Sequence, residues 1–177
     1  VQFYAPYMNA QAFDRLELEG ALRHALQEGQ FELHFQPQVD LSSGLVVGTE
    51  ALIRWRHPLL GTVRPDRFIA LAEETGLIVP IGAWALRAAC LQNRRWQRAG
   101  LGPLRVAVNL SARQFAEPDL VATVARVLDE TGLPANSLEI ELTESMMVDD
   151  VEAAIQTMLC LKRMGVKLSI DDFGTGY

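Results

Sequence analysis

Cysteine is scarce in this 177-residue sequence, which contains only Cys90 and Cys160. The two lie far apart, each inside a helical pattern. A disulfide or a cysteine-based metal site is therefore disfavoured, and we expect two reduced core thiols in a cytoplasmic protein.

Long apolar runs are also lacking. The most apolar window, Gly76 to Leu86, contains a proline and is too short to span a bilayer. No signal-peptide pattern is present. The sequence begins at Val1 rather than at a methionine, so we expect a fragment of a longer polypeptide, either a free cytoplasmic protein or the cytoplasmic part of a membrane-anchored receptor.

Basic residues are outnumbered by acids, 16 to 22, which gives a formal net charge of -6. A binder of DNA or RNA polymers needs basic surface to neutralise phosphates, so that class is disfavoured. A small anionic ligand held by one arginine and by metal ions remains compatible. Hydrophobic residues make up 49% of the sequence, enough for the core of one domain or a large part of one.

One apolar stretch, Val46 to Trp55, carries an acid and a base. Side chains alternate along a strand, so Glu50, Leu52 and Arg54 share one face. A buried charge without a partner is costly, so each charge requires a metal, a counter-charge or a ligand. Taken alone, Glu50 is more typical of a strand-edge residue facing water, and Arg54 of a salt-bridge partner.

The remaining pattern predicts alternating strands and helices. Ser42, Ser43 and Gly44 indicate a hairpin, so the first two strands should be antiparallel. The later alternation predicts βα units, either in a β/α barrel or in an open doubly wound sheet. The predicted helices are Ala10 to Gln27, one starting at Pro65, Ile81 to Arg98, Pro118 to Thr131 and Val151 to Met164; the five strands are Phe31 to Val39, Val46 to Trp55, Leu104 to Leu110, Leu138 to Thr143 and Val166 to Asp172, with a loop from Arg56 to Arg64.

Polar side chains recur at or near the carboxyl ends of these strands, where ligands bind in both topologies. They are Gln36, Glu50, Asn109, Glu141 and Asp171. The three acids and the carboxamide of Asn109 form an all-oxygen donor set, which suits Mg²⁺, Mn²⁺ or Ca²⁺ and disfavours zinc.

A second ion would fit the adjacent aspartates. Asp172 would let Asp171 bridge two ions roughly 3.5 to 4 Å apart, a recurring arrangement for phosphodiester hydrolysis. Arg54 would grip a phosphate oxygen through its fork of donors. Glu139 lies on the face of Glu141 and crowds it, so we expect a bulge or a position below the metals. His57, next to Pro58, is more typical of a structural or surface residue than of a ligand.

The string from Glu50 to Trp55 resembles the signature of EAL domains, bacterial phosphodiesterases that open cyclic di-GMP. The resemblance covers Leu16 to Tyr177. The further matching blocks are Gln36 to Val39, Arg56 to Pro58, Pro65 with Phe68 and Ile69, Asn109 to Ser111, Glu141 to Glu144, and Asp171 to Tyr177.

The resemblance implies a TIM-like β/α barrel with an antiparallel first strand, and roles for individual residues. Glu50, Asn109, Glu141 and Asp171 would bind two Mg²⁺ or Mn²⁺ ions, with Asp172 joining the second; Gln36, Leu52 and Arg54 would contact the dinucleotide; Glu144 would anchor a mobile loop that leads to homodimer contacts. Glu50, Asp171 and Asp172 would be the catalytic residues. The product would be linear pGpG, and Ca²⁺ would inhibit.

The resemblance also implies a division of the chain. Residues 1–15 would link to an upstream GGDEF or sensory domain, and residues 16–177 would form the N-terminal two-thirds of an EAL domain. Such a barrel needs roughly 250 residues, so we expect this chain alone to be inactive. The alternatives are a degenerate or truncated EAL domain that binds cyclic di-GMP without turnover, and a scaffold fragment with no ligand.

Overall fold

The computed structural model describes the backbone of residues 6–143 and 151–171, and the side chains of residues 15–142 and 151–170. Helices and strands alternate along most of this length. The elements are α1 (Pro6–Ala25), β1 (Phe31–Val39), β2 (Val46–His57), β3 (Gly61–Val63), α2 (Pro65–Thr75), α3 (Ile78–Arg98), β4 (Arg105–Leu110), α4 (Ala112–Phe115), α5 (Leu120–Thr131), a 3-10 turn (Ala135–Ser137), β5 (Leu138–Thr143), α6 (Val151–Arg163) and β6 (Lys167–Asp171).

The strands form one mixed sheet in the order β1-β2-β4-β5-β6, with β3 added to β2. The β1–β2 pair is antiparallel, whereas β2, β4, β5 and β6 are parallel. The expected α/β architecture with an antiparallel first strand is confirmed. Within the described residues the sheet is open rather than closed into a barrel.

The loop predicted after Trp55 is wrong in part. Strand β2 continues to His57, and the chain folds back as the short strand β3, in which Val63 is paired with Trp55. The Nδ1 atom of His57 accepts hydrogen bonds from the backbone N–H groups of Leu59 and Leu60, at 3.2 and 3.1 Å. The structural role expected for His57 is therefore confirmed.

Helix boundaries also differ from the prediction. Helix α1 begins at Pro6 rather than Ala10, and it buries Leu18 and Leu22, whereas Leu16 is 67% exposed. Helix α3 begins at Ile78, because Gly76 ends α2 in the left-handed conformation and the chain turns at once into the next helix.

The buried apolar residues form two clusters. One packs α1, α2 and the start of α3 around Trp55 and Phe68, and the other packs α3, α5 and α6 against β4 and β5. The ring of Trp84 packs at a tilt against that of Phe31, and the ring of Trp96 meets that of Phe35 edge-on, with centroids 5.8 and 4.8 Å apart.

Both cysteines are free thiols, as expected. Cys90 is fully buried, and burial raises its pKa to about 12, whereas Cys160 is only partly buried. Among the described residues, no helix is long and apolar enough to cross a membrane.

Candidate active site

One face of the sheet collects the predicted polar side chains. Gln36 in β1 is paired with Glu50 in β2, and Asn109 in β4 is paired with Glu141 in β5. Glu50 is itself paired with Ala107, two residues before Asn109, so alternation places all four residues on the same face. The expectation that they gather on one side is confirmed by this register.

The prediction that the polar side chains lie at or near the carboxyl ends of the strands is wrong for Gln36 and Glu50. Because β1 is antiparallel to β2, the carboxyl end of β1 points away from the carboxyl ends of the parallel strands. Gln36 therefore lies level with Glu50 in mid-strand. Glu50 is also not at a strand end, since β2 continues to His57.

A direct contact joins two of the expected metal ligands. The Nδ2 atom of Asn109 donates a hydrogen bond of 2.8 Å to the Oε1 atom of Glu50. Glu50 is half-buried and Asn109 is exposed on the open face. This bond leaves the carboxamide oxygen of Asn109 and the second carboxylate oxygen of Glu50 as candidate ligands at one place.

The last strand extends the same face. Ser169 in β6 is paired with Glu141, and Asp171 follows two residues later in the same strand. The side chain of Asp171, and the whole of Asp172 and Glu144, lie outside the described residues.

Glu139 lies two residues before Glu141 in β5 and forms an ion pair with Arg105, so it does not crowd Glu141. The Nη1 atom of Arg105 lies 3.2 Å from the Oε2 atom of Glu139. The pairing of β4 with β5 runs without a register shift, so no bulge is involved. Gly48, the partner of Arg105 in β2, leaves room for Arg105 because it has no side chain. A Cβ added to Gly48 would lie 3.1 Å from the carbonyl oxygen of Arg105 and 3.3 Å from its Cβ.

Arg54 bonds to the backbone rather than to an acid in the part of the chain that the structure describes. Its Nη1 atom donates to the carbonyl oxygen of Ile53 at 2.8 Å, and among the described residues it forms no ion pair. The acid opposite it in the register is Glu32, which instead accepts from Arg56 at 2.7 Å and contacts His34 at 2.8 Å. The hydrogen bond from Arg56, followed by that from His34, lowers the pKa of Glu32.

A cavity of about 540 Å³ opens beside these residues, between β2, β4 and helices α2 to α4. Its walls are mostly apolar, with Phe68 and Ile69 on one side, and it brings Leu52, Arg54 and Asn109 together. A largely apolar cleft with a few polar groups is the usual form of a small-molecule site. Of the three predicted dinucleotide contacts, Leu52 and Arg54 line this cavity, whereas Gln36 is exposed and outside it.

The donors on this face fit a hard divalent cation, because all of them bind through oxygen. Within the described residues no group of three or more His, Cys, Asp or Glu side chains is placed to hold a metal. Asn109 is an amide and stands outside this set of residue types, and Asp172 and the side chain of Asp171 lie outside the described residues. The five-residue metal set stays a prediction.

Sequence reasoning missed the segment after Asn109. Ser111 and Gln114 form a capping box at the short helix α4, and Arg113 reaches the end of α2. The spacing Ser-x-x-Gln is a recognisable helix-start pattern and would have indicated this turn.

An open-faced α/β sheet with an antiparallel first strand and oxygen-bearing side chains on its parallel strands belongs with β/α-barrel proteins that bind ligands at one mouth. The sequence profile of the EAL domain matches residues 19–177. The chain therefore belongs to the EAL domain family, and the expected TIM-like fold is confirmed by its structural neighbours.

Two curated relatives come from Pseudomonas aeruginosa. The bifunctional diguanylate cyclase/cyclic di-GMP phosphodiesterase MucR is 46% identical over 175 residues, which is 99% of this chain and 26% of that protein. The cyclic di-GMP phosphodiesterase NbdA is 44% identical over 176 residues, 99% of this chain and 22% of that protein. The chain thus spans about a quarter of the length of these relatives.

Solved EAL structures superimpose closely. The PaMucR phosphodiesterase in its c-di-GMP complex has a TM-score of 0.87 at 46% identity, covering 91% of this chain and 65% of that one. The FimX EAL domain of Xanthomonas citri, also in complex with c-diGMP, has a TM-score of 0.82 at 27% identity, covering 95% and 65%.

Proposed function

We propose that the protein containing this chain is a metal-dependent phosphodiesterase that hydrolyses cyclic di-GMP to linear pGpG. The observation that carries the proposal is the contact of Asn109 with Glu50, on the face that also holds Glu141 and beside Arg54, which forms no ion pair with any acid that the structure describes. Relatives named as cyclic di-GMP phosphodiesterases support the substrate.

In this proposal Glu50, Asn109 and Glu141 hold two Mg²⁺ or Mn²⁺ ions together with Asp171 and Asp172. Such ions would polarise the phosphoryl oxygens and lower the pKa of a water molecule, which is the chemistry that phosphodiester hydrolysis needs. Glu50, Asp171 and Asp172 are the acids proposed as catalytic. Ca²⁺ is larger and takes more ligands in a looser geometry, so we expect it to fill the site and inhibit.

The chain's own residues would position the substrate. Arg54, which contacts no acid among the described side chains, would bind a phosphate oxygen through two parallel N–H donors. Leu52 and the apolar wall of the cavity would pack against a guanine ring. Gln36, level with Glu50 and exposed, would hydrogen-bond to the dinucleotide from the other side of the carboxylate.

Three further parts of the proposal concern the loop after β5 and the N-terminal residues. Glu144 is proposed to anchor the loop after β5, and that loop to contribute to a homodimer. Residues 1–15 are proposed as the link to an upstream GGDEF or sensory domain. One relative, MucR, is named as combining diguanylate cyclase and phosphodiesterase activities.

The test uses the full-length protein with cyclic di-GMP and Mg²⁺ or Mn²⁺, and measures linear product by chromatography. We expect product from the wild type and from the control Asp129→Ala, an exposed acid on α5. Glu50→Ala should make none, since it removes one metal ligand and the acceptor for Asn109.

Each result has a distinct meaning. Unchanged turnover by Glu50→Ala would remove Glu50 from the metal site. Binding of cyclic di-GMP by the wild type without product would favour the binding-module alternative. A protein that neither binds nor hydrolyses cyclic di-GMP would overturn the proposal.

A further inference from the structure

The chain turns sharply just after Asn109, and the turn is fixed by the four-residue helix α4. Ser111 caps the helix: its Oγ atom accepts from the backbone N–H of Gln114 at 3.3 Å. In return the Oε1 atom of Gln114 accepts from the backbone N–H and the hydroxyl of Ser111, at 3.1 and 3.0 Å. A helix of four residues is not stable by itself, and α4 therefore depends on these hydrogen bonds.

The side chain of Gln114 also joins this turn to helix α3. Gln114 is only 6% exposed, and it lies directly on Gly82. A Cβ atom added to Gly82 would overlap the Nε2 atom of Gln114 and lie 2.6 Å from its Cδ. Gln114 can take this place only because residue 82 has no side chain.

A second tie runs from the same turn to helix α2. The Nη1 atom of Arg113 donates to the carbonyl oxygens of Glu73 and Glu74, at 2.6 and 3.2 Å. These carbonyls belong to the last turn of α2, where a cation is favoured by the helix dipole. The turn after β4 is therefore held to both helices that line the cavity.

Asn109 stands two residues before this turn. Leu110, between Asn109 and Ser111, is buried, whereas the side chain of Asn109 is exposed and bonded to Glu50. The backbone at the end of β4 therefore sets the position of Asn109, and the bond to Glu50 orients its carboxamide. Sites that bind metals need their ligands held within about 0.5 Å by surrounding contacts.

We propose that Gln114, seated on Gly82, is a positioning residue that holds the end of β4 so that Asn109 meets Glu50 at the metal site. Gln114 contacts neither metal nor substrate in this role. The inference rests on the proposed function, because it assigns Asn109 and Glu50 to a shared metal.

The test measures Mn²⁺ binding to the full-length protein by calorimetry, without substrate and well below the melting temperature. Gln114→Ala removes the acceptor for Ser111, and Gly82→Ala displaces Gln114 from its seat. We expect each to raise the Mn²⁺ dissociation constant about tenfold, the usual effect of losing a group that orients a metal ligand.

The two changes should not add. In the double variant the methyl group at position 82 occupies space that Gln114→Ala has vacated, so the loss should equal that of one single change. Gly20→Ala is the matched glycine control, since a Cβ there meets nothing within 4 Å. Val127→Ala, in the buried core of α5, is the control for general destabilisation.

The outcomes separate a positioning role from a structural one. Lower melting temperatures for Gln114→Ala and Gly82→Ala with an unchanged Mn²⁺ constant would overturn the proposal, as would an equal Mn²⁺ loss in Val127→Ala. A wild type that binds no Mn²⁺ would overturn the proposed function and this role with it.

Discussion

At the scale of single residues, the site depends on which side chains engage one acid, Glu32. Glu32 lies opposite Arg54 in the register but is engaged by Arg56 and His34. Glu32 therefore does not bind Arg54, and one N–H group of Arg54 donates a hydrogen bond to the carbonyl oxygen of Ile53. Of the two interpretations that the sequence left open, a salt-bridge partner or a phosphate ligand, the first finds no support in the described residues.

Replacing Arg54 by lysine tests its role. Lys keeps the charge but loses the planar fork, so one charged hydrogen bond to phosphate should be lost, a cost of about 1.5 to 3 kcal/mol. We expect cyclic di-GMP affinity to fall about tenfold to a hundredfold, measured by calorimetry with Ca²⁺ in place of the catalytic ion.

The matched control is Arg87→Lys, on helix α3, where the partner is Glu130 at 3.0 Å. That variant should bind cyclic di-GMP as the wild type does. Equal affinities for Arg54→Lys and the control would contradict a phosphate contact.

At the scale of single elements, hydrogen bonds within the turn of the β1–β2 hairpin support the pairing of its two strands. The carboxylate of Asp40 accepts from the hydroxyls of Ser42 and Ser43, at 2.6 and 2.7 Å, and from the backbone N–H of Ser43 at 2.8 Å. These bonds, that from Ser42 foremost, lower the pKa of Asp40 to about 2. The turn thus fixes the pairing that places Gln36 beside Glu50.

The lowered pKa gives the hairpin a pH dependence of known sign. Because the folded state favours the ionised carboxylate, its stabilisation is present above the usual pKa of 3.8 and is lost as the pH falls towards about 2. Asp40→Ala should therefore lower the urea midpoint of unfolding at pH 6, and the difference from wild type should shrink as the pH is lowered. A difference that does not change with pH would contradict this account.

The sequence predicts the long elements better than the short ones. Alternation along β2 places Glu50 and Arg54 on one face, and Gly44 marks the hairpin, because both signals are local. Strand β3 has no such local signal, and helix α4 has only the capping-box spacing of Ser111 and Gln114. Three residues become a strand only by pairing with β2, and four become a helix only through the capping box and the seat on Gly82.

At the scale of the whole molecule, helix α3 joins the two core clusters. Ile78 and Ile81 at its start pack with Trp55 and Phe68, whereas the following turns, at Leu86, pack against the parallel strands. The hairpin that carries Glu50 and the strands that carry Asn109 and Glu141 are therefore braced by one helix. Composition and periodicity predict this α/β class, but they do not show which helix spans both clusters.

The proposed metal site also connects separate parts of the chain, because its ligands come from β2, β4, β5 and the end of β6. An ion that binds only the folded state stabilises it by RT ln(1 + [L]/Kd), about 2.7 kcal/mol at a hundredfold excess over the dissociation constant. We expect Mn²⁺ to raise the melting temperature of the full-length protein in proportion to the logarithm of its concentration, and a chelator to reverse the rise. The Asp129→Ala variant should show the same Mn²⁺-induced rise in melting temperature as the wild type. The Glu50→Ala variant should lose most of this rise, whatever its melting temperature without Mn²⁺. A melting temperature that does not respond to Mn²⁺ in the wild type would contradict a shared site on these strands.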